Sequence, residues 1–133
     1  MLTIFAIPKP FEKEFNIIQR NAIKSWILLE PRPEIILFGD EKGTADIAKE
    51  FNVKHFPKIA RNEFGTPIVS DIFKKAQKIA RNNILVYVNA DIILMKDFIR
   101  AVEKIKDEEK FLMVGQRWDV DIKEKINFKN LNW

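Results

Sequence analysis

The chain has 133 residues, 47% of them hydrophobic, a length that suits one domain with enough apolar side chain for a sizeable core. Its 23 Lys and Arg against 19 Asp and Glu give a net charge of +4, but the signs are interleaved, and no clustered basic stripe or aromatic-basic ribonucleoprotein motif marks a nucleic-acid binder. The lack of cysteine excludes disulfides and thiolate metal sites, and no apolar stretch approaches the roughly 20 residues that span a bilayer, so a soluble, cytoplasmic protein is expected.

The apolar run Leu2 to Ile7 predicts a first strand that runs out into Pro8-Lys9-Pro10. Phe15, Ile18, Ala22, Trp26 and Leu29 then recur at three- and four-residue steps, the stripe of a half-buried helix, which Pro31 and Pro33 stop. Glu34 to Phe38 predicts a second strand ending in "FGD", with Asp40 at its tip. A short helix from about Thr44 to Phe51, capped by Thr44, leads to a third strand, Val53 to Phe56. After "RNEFGTP", residues 61 to 67, the helical segment Ile68 to Arg81 turns Val69, Ile72, Phe73, Ala76, Ile79 and Ala80 to one face and leaves Lys74, Lys75 and Lys78 to water. Ile84 to Val88 predicts a fourth strand, Asp97 to Lys106 a helix with Phe98, Val102 and Ile105 inward, and Phe111 to Gly115 a fifth strand. Short apolar runs alternating with helical stretches are the mark of βα units. They predict an α/β fold, a Rossmann-like, mostly parallel sheet flanked by helices, over residues 1 to 133.

In such a sheet ligands bind beyond the carboxyl ends of the strands, and the polar candidates of this chain gather there. They are Pro8 after the first strand, Asp40 after the second, Arg61 and Asn62 after the third, and Asn89 and Asp91 in "YVNADIIL" after the fourth. Neither G-x-G-x-x-G nor G-x-x-x-x-G-K-[ST] occurs, so a phosphate ligand needs side chains or a metal rather than a glycine-rich wrap. Asn89 and Asp91, two apart in an extended segment, can address one ligand together; alternatively they close the strand in an Asx-type turn. Asp40 is equally a turn residue before Gly43, and Gly65 with Pro67 suffices to explain a loop entering a helix, while Arg61 and Asn62 can reach a phosphate or a base. Asp71 suits the first turn of its helix, and His55, without a second His or Cys nearby, is a satisfied strand histidine. "WDVD" holds a true D-x-D, Asp119 and Asp121, with Trp118 expected to pack on the sheet.

Four segments, "TIFAIPKPF", "ILFGDEKG", "RNEFGTPIVSDIFKKAQKIARNN" and "ILVYVNADIIL", together resemble the sugar-nucleotide half of GT-A glycosyltransferases of the family-2-like group, over about Leu2 to Asp121. "YVNADI" and "GQRWD" also resemble segments of glycosyltransferase-like proteins. The resemblance implies a nucleoside-diphosphate sugar, UDP- or GDP-linked, with Asp40 near its base or ribose, Asn89 facing the ribose-diphosphate, and Asp91 binding Mn²⁺ or Mg²⁺ between the phosphates. Asn89 departs from the family's first aspartate, which removes a charge and weakens metal affinity. GT-A enzymes take their acceptor half and general base from a C-terminal part, so the chain corresponds to a truncated, N-terminal portion. It is either a transferase, inactive in isolation if the acceptor half is essential, or a non-catalytic nucleotide-sugar-binding module. The C-terminal Phe128, Leu131 and Trp133 fold back on the sheet or meet a second chain, in a homo-oligomer or with a partner.

Overall fold

The computed structural model describes residues 1–130; Leu131 and Trp133 lie outside the described residues. Elements alternate along the chain: β1 (Leu2–Ala6), α1 (Lys13–Ile27), β2 (Glu34–Phe38), α2 (Thr44–Phe51), β3 (Lys54–Phe56), α3 (Val69–Ile79), β4 (Ile84–Tyr87) and α4 (Lys96–Ile105). The four strands form one all-parallel sheet in the order β3-β2-β1-β4, with Ile4 opposite both Ile35 and Val86. This is a Rossmann-like α/β arrangement, and every strand delivers its carboxyl end to the same edge.

The pleat of the strands sorts their side chains into two cores. Leu2, Ile4, Ala6, Ile35 and Leu37 join Ala22, Ile23 and Trp26 of α1, Ile47 and Ala48 of α2, and Val102 of α4. Phe5, Ile36 and Phe38 meet Ile72 and Ala76 of α3 on the other face. The division follows from handedness. The steps β1 to β2 to β3 run one way and the step from β3 to β4 runs back across both, so right-handed crossovers put α1 and α2 on one face and α3 on the other. Trp26, fully buried, is the largest side chain of the first core, and its truncation to alanine would cost about 3–5 kcal/mol.

Three expectations are corrected. Phe111 to Gly115 is not a strand; Leu112 and Val114 are exposed. The handedness rule explains why it does not lie parallel beside β4: α4 packs on the α1 face, and a connection through that face to a further parallel strand would be left-handed. Thr44 is not a cap but the first helical residue, because Gly43 takes the cap position at φ 86°, where a Cβ would lie 2.9 Å from Phe11 Cβ. The Thr44 hydroxyl is consequently buried without a partner among the described residues. On α3 the expected inward face is only partly covered: Ile72 and Ala76 are buried, whereas Val69 and Phe73 remain exposed.

The chain after α4 returns to α1. Asn21, buried in that helix, donates from Nδ2 to Glu124 O at 2.8 Å and accepts from Ile126 N at 3.0 Å, and Phe128 in the same segment is half-buried. Among the described residues no helix is long and apolar enough to cross a membrane.

Candidate functional site

Strand order reverses between β1 and β4, so the outlets of these two strands are the place to look for a ligand. The β1 outlet is fixed from below. Pro8 is fully buried, and Gln19 of α1 clamps Lys9, accepting from its N–H at 2.7 Å and donating to its carbonyl at 2.9 Å. Pro8 therefore shapes the loop and presents no side-chain surface to solvent.

The β4 outlet is fixed from the same helix. Trp26 Nε1 donates to Ile92 O at 2.8 Å, and Ser25 Oγ accepts from Leu94 N at 3.0 Å while donating to Ala22 O at 2.6 Å. Through Gln19, Ser25 and Trp26, one helix holds the loops after both β1 and β4. Sequence reading took Trp26 as plain core and passed over Gln19 and Ser25. The available signal was Gln19 itself, a polar residue at the i, i+3, i+4, i+7 spacing shared with Ala22, Ile23 and Trp26.

Between these anchors sit the two polar residues of "YVNADIIL". β4 ends at Tyr87, and the chain then turns over Ala90 and Asp91, closed by Ile92 N donating to the Asn89 carbonyl at 3.1 Å. The turn is thus made by backbone, not by an Asx side chain. Because Asp91 lies past the strand, the pleat alone does not align it with Asn89, but burial still alternates: Val88 and Ala90 enter the α1-side core, while Asn89 and Asp91 are exposed. Asp91 therefore bears no burial cost. Neither side chain makes a hydrogen bond or ion pair among the described residues. Val88 and Ala90 face α1, and on the α3 side of the sheet the rings of Tyr87 and Phe73 lie 5.4 Å apart and partly exposed.

The β2 and β3 outlets contrast with this. Gly39, at φ 96°, turns the chain after β2, and His55 Nε2 lies 2.7 Å from its carbonyl oxygen, a satisfied histidine. Arg61 Nη2 donates to Asp40 Oδ1 at 2.8 Å and to Glu41 Oε1 at 2.9 Å, and Nη1 donates to Gly65 O at 2.9 Å. The Arg61 guanidinium holds the Asp40 carboxyl below the ordinary carboxylate range. Asn62 Oδ1 accepts from Phe64 N and Thr66 N, so its carbonyl is committed to the loop. Arg61 and Asn62 build the 61–67 hairpin, and one guanidinium shared by two carboxylates leaves the β2 tip with a net negative charge.

β2 and β4 flank β1, so their tips stand two strand spacings apart, roughly 9–10 Å. A ligand that meets both Asp40 and Asp91 must be elongated and lie across the β1 outlet. Two hollows, one lined by Arg81, Asn82 and Lys106 and the other by Pro31, Ile99 and Val102, lie at the opposite end of the sheet and do not include these groups.

The remaining candidates are spoken for. Asp71 Oδ2 accepts from Ala60 N at 2.8 Å and from Lys75 Nζ at 2.6 Å. Asp119 accepts from Arg117, Asp121 pairs with Lys123, and Trp118, expected on the sheet, is 92% exposed instead. Among the described residues no group of three or more His, Cys, Asp or Glu is gathered as a preformed metal cage. No protein-family model, curated protein or solved structure matches the chain.

Proposed function

We propose that the chain binds a nucleoside-diphosphate sugar and forms the sugar-nucleotide-binding part of a GT-A-type glycosyltransferase. The observation that carries this reading is the uncommitted pair Asn89 and Asp91 at the outlet of β4, beside β1, on a sheet edge where most other polar side chains are paired within the chain. The donor lies across the β1 outlet, with its base toward Asp40 and its diphosphate toward Asn89 and Asp91. The Asn89 amide can donate to a ribose or phosphate oxygen and accept from a ribose hydroxyl.

Asp91 is the residue for Mn²⁺ or Mg²⁺. A single carboxylate fits these hard cations, which are commonly held by one or two carboxylates and complete their shell with substrate phosphates and water. It does not fit a structural zinc, which takes four protein ligands. When bound, such a cation neutralises the charge that gathers on the diphosphate as the sugar leaves. The chain's own residues supply the rest: Gln19, Ser25 and Trp26 hold the two loops in place, and Asp40 offers an acceptor for a ring N–H or ribose hydroxyl at the far end.

Calorimetric titration with UDP and GDP in the presence of Mn²⁺ tests the reading. Binding of one of them is expected, and it should vanish with EDTA and in Asp91→Ala. No binding, or binding indifferent to both treatments, overturns the proposal. Release of sugar from a panel of UDP- and GDP-sugars then separates a transferase from a binding module.

A further inference from the structure

The hairpin after β3 is held more firmly than entry into a helix requires. Arg61 and Pro67 form an antiparallel bridge, Asn62 N donates to Thr66 O at 2.9 Å, Gly65 N donates to Asn62 O at 2.9 Å, and Ile68 N donates to Ala60 O at 2.9 Å. The Asn62 side chain caps two further amides, and the Arg61 guanidinium ties Gly65 O to the β2 tip. Gly65, at φ 77° with nothing within 4 Å of a built Cβ, lets the chain turn back beside its neighbour. That neighbour is Phe64, which is 82% exposed and so contributes little to the core.

Single exposed apolar residues are common on protein surfaces and by themselves say nothing. Here the polar side chains Arg61 and Asn62 are spent on rigidity, and the ordered tip projects a phenyl ring. Its place is also defined. Arg61 bonds Gly65 O through one nitrogen and Asp40 Oδ1 through the other, so Phe64 is one residue from a carbonyl that shares a guanidinium with the Asp40 carboxylate.

We infer that Phe64 is a stacking platform for the nucleobase of the bound nucleotide, the phenyl covering the flat face of the base while the Asp40 carboxylate meets its edge. This rests on the nucleotide-sugar reading and deepens it. The diphosphate belongs with Asp91, two strand spacings away, so the part of an elongated donor that reaches the hairpin is its flat, aromatic end. A preordered aromatic ring gains stacking without first losing loop entropy.

The test is a comparison of UDP with inorganic pyrophosphate, each titrated with Mn²⁺ into the wild-type chain, Phe64→Ala and Phe64→Tyr. One base stacked on an aromatic side chain is worth about a five- to hundredfold gain in affinity. Phe64→Ala should lose about that factor for UDP, Phe64→Tyr should restore it, and pyrophosphate should bind all three alike. Equal UDP affinity in Phe64→Ala overturns the inference, and so does a parallel loss of pyrophosphate. If only the stacking is wrong, Asp91→Ala still abolishes nucleotide binding while Phe64→Ala does not; if the wild-type chain binds GDP alone, GDP takes the place of UDP in the comparison, and if it binds neither, both readings fall.

Discussion

Two carboxylates at opposite ends of the same sheet show how differently this fold treats one functional group. Glu34, at the amino end of β2, has a side chain only 9% exposed, and it accepts from Thr3 Oγ1 at 2.6 Å, from Arg81 N at 2.7 Å, and from Lys54 Nζ. Asp91, past the carboxyl end of β4, is exposed and makes no hydrogen bond or ion pair among the described residues. A carboxylate whose lone pairs are all answered by the chain is architecture. One held on a firmly anchored loop with its lone pairs open is available to a ligand.

Exchanging the charges of the two sites breaks this comparison most directly. Asp91→Asn should abolish EDTA-sensitive nucleotide binding and leave the melting temperature where it was. Glu34→Gln should do the reverse, keeping binding but costing about 1–3 kcal/mol, because the amide offers Thr3, Lys54 and the Arg81 N–H only one acceptor oxygen and no charge; that is a fall of several degrees in Tm. A loss of binding in Glu34→Gln without a loss of stability would erase the distinction.

The acid limb of stability sharpens it. Burial pushes the Glu34 carboxyl upward, but the bonds from Lys54, Thr3 and Arg81 N–H together outweigh it, and the group lies below its ordinary value. A group depressed in the folded state stabilises fully above its unfolded pKa, and that contribution is lost as pH falls through the lower, folded pKa. Chemical denaturation followed from neutral pH downward should therefore show the wild type converging on Glu34→Gln below the ordinary glutamate range. An unchanged gap across that window would assign the bonds of Glu34 no weight.

A smaller effect is expected where the loops are anchored. Gln19→Leu keeps an apolar stripe but removes both bonds to Lys9, whose exposure lets water answer part of the loss, at a cost of about 1 kcal/mol. Amide exchange at Lys9 should quicken well beyond what the change in global stability allows. The smallest effect belongs to "WDVD": Asp119→Asn with Asp121→Asn should alter neither melting nor nucleotide binding, since both carboxylates sit exposed with local cations. Loss of metal-dependent binding in that variant would move the cation from Asp91 to this D-x-D.

The alternating architecture was legible from the chain itself. Runs such as "EIILF" and the stripe through Ala22 and Trp26 place apolar groups at the periods of strand and helix, and these periods belong to local backbone geometry. The gathering of polar residues at the strand outlets was legible as well, because parallel strands share one carboxyl end. The role of each polar group was not. Asn62 and Asn89 are the same residue type after neighbouring βα turns, yet one is consumed in capping amides and the other faces solvent. "FLMVG" has strand composition and forms no strand, because α4 lies on the wrong face for a parallel addition. Sequence by itself determined the four strands and the helices that alternate with them, since those periods are written at spacings of two to four residues. Only the tertiary structure decided which donors and acceptors find partners, since Gln19 with Lys9, Trp26 with Ile92 and Arg61 with Asp40 are pairings across the fold that no local pattern encodes.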